Sequence, residues 1–213
     1  MKEEISNESV DLIVTDPPYL ISYSRHVKGH RFSKTIQNDD NESLIAEYIK
    51  ECHRILKNDS AMYMFASHKT IDYFKQQLEK YFNVKNIIIW DKIQQNMGDT
   101  STTFGFQYEI IFFVSKGQPK INGKRLSDIW SFPKITGEYQ QHQNQKPVAL
   151  IEQCIEKHSK VGDVVFDGFM GSGTTGVACK NLDRNFIGIE IDKTYFEMAQ
   201  KRINEKMVQI SLF

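Results

Sequence analysis

The sequence predicts an α/β fold, with a mostly parallel sheet and helices on both faces. Three observations lead there. Short apolar runs alternate with helical patterns along the whole chain, from residues 10–14 to residues 185–191. The 213 residues suit one domain with a sizeable core. No internal repeat or low-complexity segment interrupts the alternation.

The first run, 10–14, ends in Thr15-Asp16-Pro17-Pro18-Tyr19. Neither proline has an N–H and each fixes its own φ, so a strand cannot continue through them. The result is a stiff corner carrying one carboxylate, carbonyls without ladder partners, and an aromatic ring. Such a corner suits a planar substrate with an amino group. Its ring stacks on Tyr19, and its N–H bonds go to Asp16 and a carbonyl. The plainer reading is a proline-stopped edge strand with a solvated Asp.

After Tyr19 comes a basic loop with aromatic residues, in which Arg25, Lys28 and Arg31 are candidate phosphate contacts beside the corner. Asp40-Asn41 offers an N-cap for a helix whose inner face is Leu44, Ile45, Tyr48, Ile49, Cys52, Ile55 and Leu56, with Lys57-Asn58 as its end. A buried strand at 61–65, a helix at 68–81, a strand at 86–90, a loop at 94–103 and a strand at 108–114 follow. The last of these carries a single acid, Glu109.

Residues 117–134 are the least regular. Lys120, Lys124 and Arg125, with Trp130 and Phe132 among them, read as a DNA-contacting loop. The alternative is a surface excursion with Trp130 packed on the core. Pro147 then opens a helix at 148–158, where its missing N–H has no partner to lose.

A short strand at 164–166 leads into Asp167-Gly168-Phe169-Met170-Gly171-Ser172-Gly173-Thr174-Thr175-Gly176 and a helix. Glycines let the backbone turn tightly and approach a ligand, and the helix N-terminus favours polar or anionic groups. The next strand ends in Gly188-Ile189-Glu190-Ile191-Asp192, where the Glu190 carboxylate can hold a ribose diol. A final helix is expected at 193–206. Gly171, Gly173 and Gly176 with Glu190 also satisfy the dinucleotide fingerprint. A dinucleotide enzyme needs a second half for its nicotinamide, however, and only residues 191–213 remain. A phosphate-binding P-loop is disfavoured because no Gly-Lys-Ser/Thr follows the glycines.

Composition bounds the rest. Apolar content is 40 % and charged content 25 %, ordinary for a globular protein. No apolar run approaches the roughly 20 residues of a membrane span, and the charged N-terminus is not a signal peptide. Cys52, Cys154 and Cys179 are far apart, and read as reduced thiols of a cytoplasmic protein without a zinc site. Net charge is zero, so affinity for nucleic acid has to come from local patches.

Asp16-Pro17-Pro18-Tyr19 at a strand end, together with Asp167-x-Phe169-x-Gly171-x-Gly173, resembles the amino-group DNA methyltransferases. The order, catalytic corner first and cofactor loop last, is that of their β group. The resemblance implies a Rossmann-like fold, S-adenosyl-L-methionine (AdoMet) as cofactor, and transfer of its methyl group to an exocyclic nitrogen of a flipped base. It implies Asp16, Pro17, Pro18 and Tyr19 as catalytic residues. It places Lys146, Pro147, Asp167, Phe169, Gly171, Gly173, Glu190 and Ile191 at the cofactor, with His142 in the same helix motif. It divides the single domain 1–213 into a catalytic half, 1–115, a short target-recognition segment, 116–140, and a cofactor half, 141–206.

Asp at the first motif position implies adenine N6. Cytosine N4, a non-catalytic DNA-binding remnant, and methylation of RNA or protein glutamine are the other readings. DNA is the implied partner, and a second copy or a restriction endonuclease are further ones. No residue before Val10 matches the segment that borders the adenine of AdoMet in the group. That implies a truncated form or a pocket built differently.

Overall fold

The structure is a computed structural model and describes residues 4–21, 41–95, 101–136 and 145–205. Among these residues seven strands form one sheet in the order β5-β3-β4-β2-β1-β6-β7. They are β1 (Val10–Thr15), β2 (Leu56–Ala66), β3 (Asn83–Asp91), β4 (Tyr108–Lys116), β5 (Ile129–Ser131), β6 (Val164–Asp167) and β7 (Asn185–Gly188). All neighbouring pairs are parallel except the two made by β4, which runs antiparallel to both β2 and β3.

Among the described residues five α-helices cover the sheet: α1 (Glu42–Ile55), α2 (Ile71–Glu79), α3 (Val148–His158), α4 (Thr174–Asn181) and α5 (Lys193–Asn204). The core falls into two layers, because successive strand residues point to opposite faces. Ile13, Met62, Met64, Ile110 and Phe112 pack with Ile45, Ile49 and Cys52 of α1 and Phe74 and Leu78 of α2. Leu12, Val14, Tyr63, Phe65, Ile111 and Phe113 face Leu150, Ile151 and Cys154 of α3 and Ala178 of α4. Residues 12–14 of β1, 61–66 of β2 and 110–114 of β4 are thus buried on both sides, which is why these segments read as apolar runs.

Several expected boundaries move. Lys57 and Asn58 do not end α1, which stops at Ile55 and enters β2 at once. The polar stretch Lys57-Asn58-Asp59-Ser60 bulges, so that β1 pairs Val10 with Leu56 and then Leu12 with Ala61. Lys57 stays beside β1 by pairing with Asp11 at 2.6 Å. The helix expected at 68–81 is a 3₁₀ turn, His68–Thr70, followed by α2. The segment read as irregular contains β5, where Trp130 is buried and its Nε1 donates to the Ser127 carbonyl at 2.8 Å. Trp130 is therefore a core residue.

The topology fixes where a ligand can sit. From β1 the chain crosses through α1 to β2 on one side; from β6 it crosses through α4 to β7 on the other. Strands β1 and β6 are neighbours, pairing Leu12 with Val165 and Ile13 with Phe166. A crevice opens at the C-terminal ends of strands where the chain direction divides in this way. The proline corner and the glycine loop leave the sheet at that crevice.

Among the described residues no helix is long and apolar enough to cross a membrane. All three cysteines are buried free thiols.

Candidate active site

Directly after β1, Asp16 meets Tyr19 of the same corner and Lys146 from far along the chain. Its Oδ1 accepts from the Tyr19 hydroxyl at 2.5 Å, and its Oδ2 from Lys146 Nζ at 2.6 Å. Lys146 stands just before α3. Its ammonium also lies 3.2 Å from Glu109 Oε2, donates to the Tyr19 hydroxyl at 3.0 Å, and sits over the Phe65 ring at 5.0 Å. Glu109, near the start of β4, holds Lys92 on its other oxygen at 2.6 Å. Two acids and two bases therefore alternate: Asp16, Lys146, Glu109, Lys92. The backbone of the corner is held as well, since Thr70 Oγ1 donates to the Tyr19 carbonyl at 2.8 Å. Leu20 follows in the left-handed region at φ 59.

Electrostatics follow from burial and pairing. Burial raises Asp16 above the usual carboxylate range, against the opposing pull of Lys146. Burial also acts to raise Glu109, but Lys146 and Lys92 outweigh it and hold its carboxyl at about 2. Burial disfavours the Lys146 ammonium, yet Asp16 and Glu109 together keep it above the ordinary lysine value. Tyr19 stays a neutral phenol, pushed well up by burial and the two adjacent acids.

The glycine loop lies on the neighbouring strand. Asp167 ends β6 and spends both oxygens inside the loop: Oδ1 accepts from the Phe169 amide at 3.0 Å and Oδ2 from Thr175 Oγ1 at 2.7 Å. Gly173 caps α4 with φ 79, and a Cβ there would come within 2.8 Å of the Ala199 Cβ on α5. Glu190, just past β7, accepts from the Gly171 amide at 2.9 Å and the Asp192 amide at 2.8 Å. Tyr48 of α1 joins the two halves. Its hydroxyl accepts from the Gly168 amide at 3.2 Å and shares a hydrogen bond with Thr15 Oγ1 at 2.7 Å.

The structure brings Asp16, Tyr19 and Lys146 together directly, and sets the 167–176 loop and Glu190 on the adjacent strands. The ammonium of Lys146, a residue expected at the cofactor, pairs with Asp16 and Glu109. Asp167 lies under the loop, while Ile191 is 76 % exposed beyond it. Lys120, Lys124 and Arg125 are not brought to this site. Lys157, near the C-terminal end of α3, donates to the Lys124 carbonyl at 2.8 Å. The 11 residues of α3 put that end about 16 Å from Lys146. The 117–128 stretch starts at the foot of β4, and β4 runs antiparallel to β2 and β3. Arg25, Lys28, Arg31 and His142 lie outside the described residues.

Sequence reading gave Glu109 no task and missed Lys92, Thr70 and Tyr48. A lone acid in an otherwise apolar strand was the one available signal, and it marked Glu109.

Fold and site define an AdoMet-dependent methyltransferase. The chain belongs to the DNA methylase family, whose model matches residues 10–201. It is 31 % identical to the DNA adenine methyltransferase YhdJ of Escherichia coli (strain K12), covering 95 % of this chain and 79 % of that protein. It is 32 % identical to the type II methyltransferase M.HinfI of Haemophilus influenzae, covering 94 % of this chain and 65 % of the relative. Among solved structures, M1.HpyAVI in complex with SAM superposes with a TM-score of 0.74 at 32 % identity, covering 96 % of this chain and 92 % of that one.

The donor set fits AdoMet. The Glu190 carboxylate stands past β7 against the glycine turn, holding the Gly171 amide at 2.9 Å, and Phe169 supplies an apolar wall against Tyr48 at 4.7 Å between ring centroids.

Proposed function

We propose that the protein methylates the exocyclic N6 amine of adenine in DNA, as a member of the β group. In this reading residues 1–115 carry the chemistry and residues 141–206 hold the cofactor. The observation that carries it is the Asp16 carboxylate, fixed by Lys146 and Tyr19 at the crevice one strand from the glycine loop. Support for adenine comes from the first motif residue, Asp16, and from the name of the relative YhdJ.

The amine of adenine is a poor nucleophile because its lone pair is delocalised into the ring. Asp16 and the Pro17 carbonyl accept its N–H bonds and favour sp³ geometry, so the lone pair becomes available. Preorganised acceptors act where charge develops. Each Asp16 oxygen has a second lone pair beyond the bond it now makes. AdoMet would supply an electrophilic methyl group: the N–CH3 bond forms as the S–CH3 bond breaks, S-adenosylhomocysteine is the neutral thioether left, and the proton lost from the amine passes through Asp16 to solvent. Glu190 would hold the ribose of AdoMet, and the 167–176 loop would orient it. The base must leave the duplex at a cost of a few kcal/mol, and stacking on Tyr19 offsets about 1–3 kcal/mol of that. Arg25, Lys28 and Arg31, next in sequence to the corner, are assigned to the phosphates.

The test is incubation with methyl-labelled AdoMet and unmethylated genomic DNA, followed by nucleoside analysis. Label in N6-methyladenine is expected. Label in N4-methylcytosine would overturn the choice of base, and no label at all the activity. Asp16→Ala should lower transfer by at least about 100-fold while AdoMet binding, read by calorimetry, changes little; undiminished turnover would remove Asp16 from the mechanism.

A further inference from the structure

Two carboxylates share one buried ammonium at the corner. The Lys146 side chain is 7 % exposed, with Asp16 at 2.6 Å and Glu109 at 3.2 Å. The mechanism above uses Asp16 and leaves Glu109 and Lys92 idle. Yet Glu109 is built in firmly: Lys92 takes Oε1 at 2.6 Å, which turns Oε2 towards Lys146 and the Tyr19 hydroxyl. The four charges sum to zero and come from four separate parts of the chain.

Before substrate arrives, each Asp16 oxygen already has a partner, Tyr19 on one and Lys146 on the other. An amine N–H accepted on the second lone pair of either oxygen shares that oxygen's charge between two donors, and weakens its hold on Lys146 or Tyr19. Lys146 cannot simply be released, because an unpaired ammonium in a buried site is strongly disfavoured. A second carboxylate within reach removes the obstacle.

We propose, resting on the reading of Asp16 as the amine acceptor, that Glu109 is a positioning residue that takes over Lys146 when the amine engages Asp16. Lys92 keeps Glu109 oriented for the exchange. The step is an exchange of hydrogen bonds, with no covalent bond made or broken. Without Glu109, Lys146 and Asp16 form an undivided pair, and Asp16 is a poorer acceptor.

A double-mutant cycle tests this. Single-turnover methyl transfer to genomic DNA is measured for the wild type, Glu109→Gln, Lys146→Met and the double variant. Glu109→Gln should slow transfer on the order of 30-fold, with KM for AdoMet unchanged. In the Lys146→Met background the same change should cost less than about twofold. Equal losses in both backgrounds would overturn the proposal.

A second readout needs no activity. The groups facing the Asp16 carboxyl are Lys146, Glu109 and Tyr19, with Lys92 behind Glu109 and Asp167 on the adjacent strand. Removing the Glu109 charge should lower the Asp16 titration midpoint, followed by carboxyl carbon NMR in the free protein. An unmoved midpoint would show that Glu109 does not share Lys146. A wild type that methylates no DNA would refute the functional reading and the exchange with it, while this titration still decides the sharing.

Discussion

Asp167 is 3 % exposed, and burial pushes its carboxyl up to about 6 from an ordinary 3.8. Between those two values the native protein keeps a proton that the unfolded chain has released. Stability contributed at this site therefore falls as pH rises from about 4 to 6, then levels off. Asp167→Asn has no such titration. It loses one acceptor to Phe169 or Thr175, at a cost of about 1–3 kcal/mol. Its deficit against the wild type should be largest near pH 4 and shrink by up to about 3 kcal/mol above pH 6. Urea midpoints across that range check the sign. Legibility at this scale divides cleanly. Asp16, Tyr19 and Glu190 could be picked out because each stands in a short local pattern. Glu109 was marked only as a lone acid in an apolar strand, and its role, like that of Tyr48, was hidden because their partners lie 90 and 120 residues away and only the fold brings them near.

Among the elements, the turn from β6 into α4 has the least tolerance. Gly173 adopts φ 79, and an added Cβ would lie 2.8 Å from the Ala199 Cβ and 3.0 Å from its Cα. The left-handed backbone alone costs a non-glycine residue about 1–2 kcal/mol, and α5 would have to move as well. Gly173→Ala should lower the melting temperature by several degrees and weaken AdoMet binding; an unchanged melting curve would contradict this account. The glycines of this turn were legible because their spacing is local. The boundary between α1 and β2 was not. Polar Lys57 and Asn58 look like a helix stop, but tertiary pairing with β1 draws Leu56 straight into the sheet. Strand β5 was hidden for a similar reason, being only three residues long and defined by its partner β3.

Across the whole molecule, the two ends of the sheet have different surroundings. The catalytic end carries Phe106 stacked on His68 at 4.7 Å, and Phe104 at 96 % exposure. The opposite end carries Lys120, Lys124 and Arg125. Replacing those three with serine should leave the salt dependence of DNA binding unchanged, whereas each lost phosphate contact would lower its slope by about 0.9. Phe104→Ala, at the catalytic end, should weaken DNA binding by about 1–3 kcal/mol if the ring stacks on a base. Fluorescence anisotropy at several salt concentrations separates the two. The α/β class and the crevice between the corner and the glycine loop were legible, since apolar runs and turn residues report them. Which end a loop occupies was not, because that depends on strand direction, and β4 reverses it.

Strand β1 sits between β2 and β6, and its second neighbour is made late. About 150 residues separate the two, so at 5–20 residues per second a ribosome needs roughly 8–30 s to supply β6 after β1 has emerged. During that interval one edge of an apolar strand has its amides and carbonyls unpaired, the kind of edge on which other chains add. The pairing that aligns the two halves of the site is thus also the step on which safe synthesis of the chain depends.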